Sequence, residues 1–120
     1  MHFERFETGD AVVVKVRGEL TVEYAKGFQA ALSEELQKSD RILLDLENVT
    51  EADISCLQLL CSAFGTAAKL SKQVSLGDNL PGQFVQFAID AGYSRVRGFE
   101  AVSTGYAAME EDNEQSRNDG

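Results

Sequence analysis

Apolar and polar positions change period several times along the chain. Residues 2–6 (HFERF) alternate weakly, and from Ala11 the β-branched run AVVVKVRG predicts a strand that stops at Gly18. The stretch GELTVEYAKGFQAALSEELQKSD then takes a helical period. Val22, Ala25, Phe28, Leu32 and Leu36 recur on one side with charges opposite, Thr21 is placed as the N-cap, and Glu23 suits the first turn. Gly27 inside that pattern costs about 1 kcal/mol against alanine. RILLDLENV reads as a strand, and its unbroken Ile42, Leu43, Leu44 predicts cover on more than one side.

The strongest helical signal follows the polar turn TEADIS. Ile54, Leu57, Leu60, Cys61, Phe64, Ala67 and Ala68 fall on one stripe, while Ser62, Ala63, Gly65 and Thr66 fill much of the rest and predict close approach to a neighbour. QVSLG is a short strand. NLPGQFVQFAIDAGY is a helix with Pro81 at its first turn and Gly92 at its end, burying Phe84, Phe87, Ala88 and Ala91. SRVRGFEAVSTGYAAM reads as a short final strand and a fragment of helix. Strands separated by amphipathic helices imply crossover connections, hence an α/β domain with a mixed sheet.

A chain of 120 residues with 43% apolar composition makes one domain with a proper core. We place it at residues 1–108, followed by an acidic tail, 109–120, without periodicity and expected to be disordered. In that tail Glu110, Glu111, Asp112, Glu114 and Asp119 against Arg117 carry −4 of the formal charge of −9. An acidic domain repels nucleic acid and anionic lipid surfaces. With no apolar leader and no run long enough to span a bilayer, the cytoplasm is the expected compartment, without membrane insertion. Cys56 and Cys61 match no zinc spacing and read as reduced helix residues, so neither a metal nor a disulfide is expected.

Catalytic chemistry has little to work with. His2 is the one histidine and sits at a terminus, where a frayed end is the simpler reading. No Ser-His-Asp set or Gly-rich phosphate loop can be assembled, and Asp45 in its apolar strand more simply satisfies local backbone. We expect no enzyme activity and no cofactor. The turn before the long helix is the remaining candidate. Asp53 is a natural N-cap, Thr50 can add a local bond, and Ser55 lies in a first turn where free N–H groups and the helix dipole favour a phosphate.

Three segments, VRGELTVEYAKGFQAAL, LLDLENVTEADISCLQLLCSAF and FAIDAGYSRVRGF, together resemble the STAS domain family. That family includes the anti-sigma-factor antagonists and the small soluble subunit of the lipid-asymmetry ABC transporter. The resemblance implies a four- or five-stranded mixed sheet with helices packed on one side, and a non-enzymatic protein partner. It is also similar to small stand-alone domains associated with bacterial signalling or chemotaxis. The family turn typically reads Asp-Ser-Ser/Thr-Gly-Leu, and its first hydroxyl residue takes a phosphate from a partner kinase. Here Asp53 matches the aspartate and Leu57 the leucine, but Ile54 stands at the acceptor position, Ser55 at the second hydroxyl position and Cys56 at the glycine.

Two readings stay open: Ser55 is a displaced phosphoacceptor, or the domain binds constitutively through Asp53, Ile54, Ser55 and Gln58. Successive helix positions differ by about 100°, so a kinase docked for position 54 does not automatically reach 55. The rivals to a signalling adaptor are a subunit docked on an ABC ATPase and a sensor of a nucleotide or lipid. A homodimer stands among the partner expectations, since an uncovered sheet face or edge invites self-association.

Overall fold

The computed structural model describes residues 2–102, so the expected boundary at 108 and the tail 109–120 lie outside the described residues. The order is β1 (His2–Thr8), β2 (Ala11–Leu20), α1 (Val22–Lys38), β3 (Arg41–Ala52), α2 (Ile54–Lys69), β4 (Gln73–Leu76) and α3 (Gly82–Asp90). The strands form one four-stranded sheet in spatial order β1-β2-β3-β4. β1 runs antiparallel to β2, and β2, β3 and β4 are parallel, so the sheet is mixed as expected. Both crossover helices pack on the same side, where Val12, Val14 and Val16 of β2 and Ile42, Leu44 and Leu46 of β3 are buried.

β2 does not stop at Gly18. With φ +89°, that glycine allows a register shift between Gly18 and Glu19 instead, and the strand continues to bury Leu20. His2, read as a frayed end, is an exposed residue of β1 opposite Arg17. Leu43 is only half-buried while Ile42 and Leu44 are fully buried. The expected cover on more than one side is therefore absent among the described residues; the apolar run reflects one covered face and one open apolar row.

The helix stripes hold in their centres and fail at their ends. In α1, Phe28, Leu32 and Leu36 are buried and Ala25 partly so, but Val22 is 68% exposed. The stripe also admits Glu35, whose buried carboxylate pairs with Arg5 of β1 and so ties the edge strand to the helix. In α2, Leu57, Leu60, Phe64 and Ala67 are buried together with Cys56, Leu59 and Ala63, whereas Ile54 and Ala68 are exposed and Cys61 half-buried. Ser62, Ala63 and Thr66 line a shallow groove against Gln29, Leu32, Ser33 and Leu36 of α1, the neighbour that this face approaches, while no described atom comes within 4 Å of where a Gly65 Cβ would lie. In α3, Val85 joins Phe84 and Ala88 inside, with Phe87 partly buried and Ala91 exposed.

No strand follows α3 among the described residues. Residues 93–99 turn, and a short helical stretch begins at Glu100. Phe99 and Val102 are completely buried there, with the Phe99 ring meeting Phe64 edge-on at 5.2 Å and Tyr93 at 5.5 Å. Gly98 makes this possible. Its φ is +97°, and a Cβ would lie 2.2 Å from the Phe64 ring. Gly98→Ala should therefore lower unfolding free energy by about 2–4 kcal/mol, combining left-handed strain with overpacking; a chemical denaturation midpoint measures it, and a wild-type midpoint would contradict this packing.

Candidate functional site

The ends of β2 and β3 lie side by side, with Leu20 opposite Ala52. Each strand feeds a helix immediately afterwards, so the N-termini of α1 and α2 emerge together at one end of the sheet. Asp53 sits between them. Its Oδ1 accepts from the Ser55 N–H at 3.0 Å, which caps its own helix. Its Oδ2 accepts from the Val22 N–H at 2.9 Å, the first residue of α1. One carboxylate thus serves two positive helix ends.

This corrects the expectation for Thr21. It occupies the N-cap position of α1, but its side chain makes no capping bond. A charged acceptor aimed at the same helix end supplies the stronger bond. Thr50 is not part of the cap either; it is an exposed residue of β3 beside a groove. Asp45 behaves as read, its Oδ1 accepting from the Glu47 N–H at 3.0 Å.

Of the residues singled out in the turn, Asp53 and Ser55 are half-buried, while Ile54 and Gln58, one helical turn apart, face solvent. Among the described residues no hydrogen bond engages the Ser55 hydroxyl, so the oxygen is chemically available. Ile54 is 47% exposed, and its aliphatic side chain cannot take a phosphate. Val22, which sequence reasoning placed in the core, is exposed on the other side of the Asp53 carboxylate. The two aliphatic side chains are presented by residues held at that carboxylate, with an acidic surround: Glu19 and Glu51, register partners on β2 and β3, and Glu23 are all exposed.

Beside the turn, a groove of about 220 Å³ opens between Val49–Ala52 of β3 and the start of α3, lined by Pro81, Gln83, Phe84 and Phe87. Cys56 lies underneath the turn. Burial, reinforced by the Asp53 charge, pushes its thiol up from 9.0 to about 12, so it is a poor nucleophile. Among the described residues, no group of three or more His, Cys, Asp or Glu side chains could hold a metal, and no helix is long and apolar enough to cross a membrane.

A four-stranded mixed sheet with two crossover helices on one side and an Asp-capped turn is the STAS-like fold. The family model described as "Mlab, STAS domain" matches residues 4–98, and the chain belongs to the STAS domain family, whose domains are typically non-catalytic. Solved structures agree in fold. SpoIIAA in its phosphorylated form, described as a Bacillus cell fate determinant, is 17% identical, with 79% of this chain and 87% of that one covered at a TM-score of 0.61. A putative anti-sigma factor antagonist from Thermotoga maritima is 20% identical, with 75% and 81% covered at 0.60. An anti-sigma factor antagonist from Mycobacterium paratuberculosis is 15% identical, with 87% and 92% covered at 0.61. No curated protein sequence matches the chain.

Two outcomes follow from this geometry. Asp53→Ala leaves two helix-end N–H groups without their charged acceptor and should cost about 2–3 kcal/mol, more than a single cap; equilibrium denaturation against Thr21→Ala, expected near neutral, gives the comparison. The raised Cys56 pKa means the folded state holds its proton more tightly than the unfolded state. Its contribution is full below pH 9 and is lost as pH rises from there towards about 12. Cys56→Ala should therefore flatten the alkaline fall in stability, read from denaturation midpoints between pH 8 and about 11; an unchanged slope would contradict the assignment.

Proposed function

We propose that this chain is a non-catalytic protein–protein interaction module of bacterial signalling, an adaptor resembling anti-sigma-factor antagonists, that docks through Asp53, Ile54, Ser55 and Gln58. The observation that carries this reading is the convergence of two helix N-termini on the Asp53 carboxylate, with Val22 and Ile54 standing out from it into solvent. Exposed aliphatic side chains within an acidic surround fit a protein surface that offers an apolar recess with a basic rim. The fold likeness to structures described as anti-sigma factor antagonists, SpoIIAA among them, supports the same class.

With isoleucine at the acceptor position, the module binds in its unmodified state, and Ser55 is the hydroxyl in the first turn of α2 that could switch it. A phosphate there adds up to about two negative charges beside Asp53 and within reach of an apolar contact. Like-charge repulsion and the desolvation of a dianion then both oppose docking.

A second reading has its own support, the description of the matching family model. In it the same surface docks on the ATPase of a lipid-transporting ABC system as a soluble regulatory subunit.

Affinity purification from the native host with mass spectrometry names the partner: a kinase-like or other signalling protein on the first reading, an ATPase and permease on the second. With that partner, Ser55→Asp should weaken binding at least about tenfold while Ser55→Ala stays within about twofold, by calorimetry. Intact-mass detection of phosphate separates a modified Ser55 from a constitutive contact. If Ser55→Asp and Gln58→Arg both bind like wild type, the turn is only a cap.

A further inference from the structure

The sheet has a second face that the docking turn does not use. Register places Phe6, Val13, Leu43 and Ser75 side by side across the four strands on the side away from α1 and α2. Phe6 is 47% exposed, and Val13 and Leu43 are only half-buried. Two polar rows flank them. Thr8, Ala11, Arg41 and Gln73 lie on one side, and Glu4, Lys15 and Asp45 on the other.

The geometry points to a second copy of this chain as the occupant of that face. A half-turn about an axis along the Phe6–Leu43 row lays the apolar row on its own copy and exchanges the flanking rows. Asp45 then meets the partner's Arg41, and Arg41 the partner's Asp45. Glu4 meets the partner's Thr8, and Lys15 the partner's Ala11. No like charges oppose one another, and two ion pairs form by symmetry. Asp45 has one carboxylate oxygen engaged locally, by the Glu47 N–H, and Arg41 reaches Asp10 from a side chain that is 56% exposed.

The free edge of β1 offers a rival contact. Symmetric antiparallel pairing of two β1 edges keeps each residue on its own face, so one residue opposes itself: centring on Glu4 or Arg5 opposes like charges, whereas centring on Phe6 sets Arg5 opposite Glu7 of the second copy. Only the face contact brings Arg41 against Asp45, so substitutions at those two positions separate it from the edge contact.

Strands about 4.8 Å apart and a depth of five residues at about 3.3 Å each give about 300 Å² per copy. That is well below the roughly 800 Å² per partner of a standard-size complex, so the dimer is weak and transient. Its strands run antiparallel across the interface, which sends the two Asp53 turns to opposite ends. A dimer would carry two free docking turns and so favour a partner that is itself multivalent.

Sedimentation equilibrium on the full chain at low salt, from about 5 µM to 1 mM, tests this. We expect a reversible monomer–dimer equilibrium, weakened at least about tenfold by Phe6→Glu and by Arg41→Asp. The charge swap Arg41→Asp with Asp45→Arg should restore it to within about threefold, because only this register pairs those two positions. Circular dichroism selects variants that keep the fold, and Arg41→Asp alone decides if the swap does not fold, because the β1 edge contact would also lose its central Phe6. A monomer at 1 mM, a dimer indifferent to Phe6→Glu, or a folded swap that fails to restore would each overturn the proposal. So would concentration-independent protection of Phe6 and Leu43 by the chain's own C-terminal residues.

Discussion

Both oxygens of the Asp53 carboxylate are engaged, one by each of two helices, and that bond pair fixes how the functional end of the molecule is built. β2 and β3 are parallel neighbours of similar length, so the chain leaves them at nearly the same height and turns twice into helix in the same place. Two positive helix ends brought together would repel. A single anion between them removes that cost and binds donors that the helices cannot satisfy internally. The aspartate must sit at the start of the second helix, because from there its side chain reaches both its own first turn and the neighbouring one.

Much of this was legible in the sequence, and the failures have a common cause. The order of strands and helices follows from changes of hydrophobic period, and the core of α2 around Leu57, Leu60 and Phe64 follows from its stripe. Val22 and Ile54 obey the same period yet are exposed. Each is the first residue of its helix, and helical side chains tilt towards the N-terminus, here past the end of the sheet. Periodicity describes direction around a helix and says nothing about where the layer beneath it ends. The capping of α2 by Asp53 was readable because it is local. The bond to Val22 was not, because it depends on the pairing of Leu20 with Ala52 across two strands.

The last part of the described core was illegible for another reason. Phe99 and Val102 are buried without any period, in a segment placed by the contact of Gly98 with the Phe64 ring. Nothing in the local pattern distinguishes that glycine from one in an ordinary loop; its meaning comes from a ring far away in sequence. The open face of the sheet shows the reverse. Leu43 continues an apolar run and so reads as doubly covered, yet its register partners Val13 and Phe6 share one uncovered row. A run of apolar residues in a strand records the chemistry of both faces, whether the second is met by the same chain or by another molecule.

The same carboxylate that joins the helices also settles the character of the surface beside it. A turn in which one carboxylate already holds an N–H of each helix is tied down without a partner or a ligand. Val22 and Ile54 are therefore presented by two backbones held at fixed positions, and a partner that buries them does not have to immobilise the turn first. A phosphate on Ser55 would compete for an N–H that Asp53 already holds, in the immediate field of that anion. In a turn tied to two helices through one carboxylate, such a group acts chiefly by changing what the surface displays.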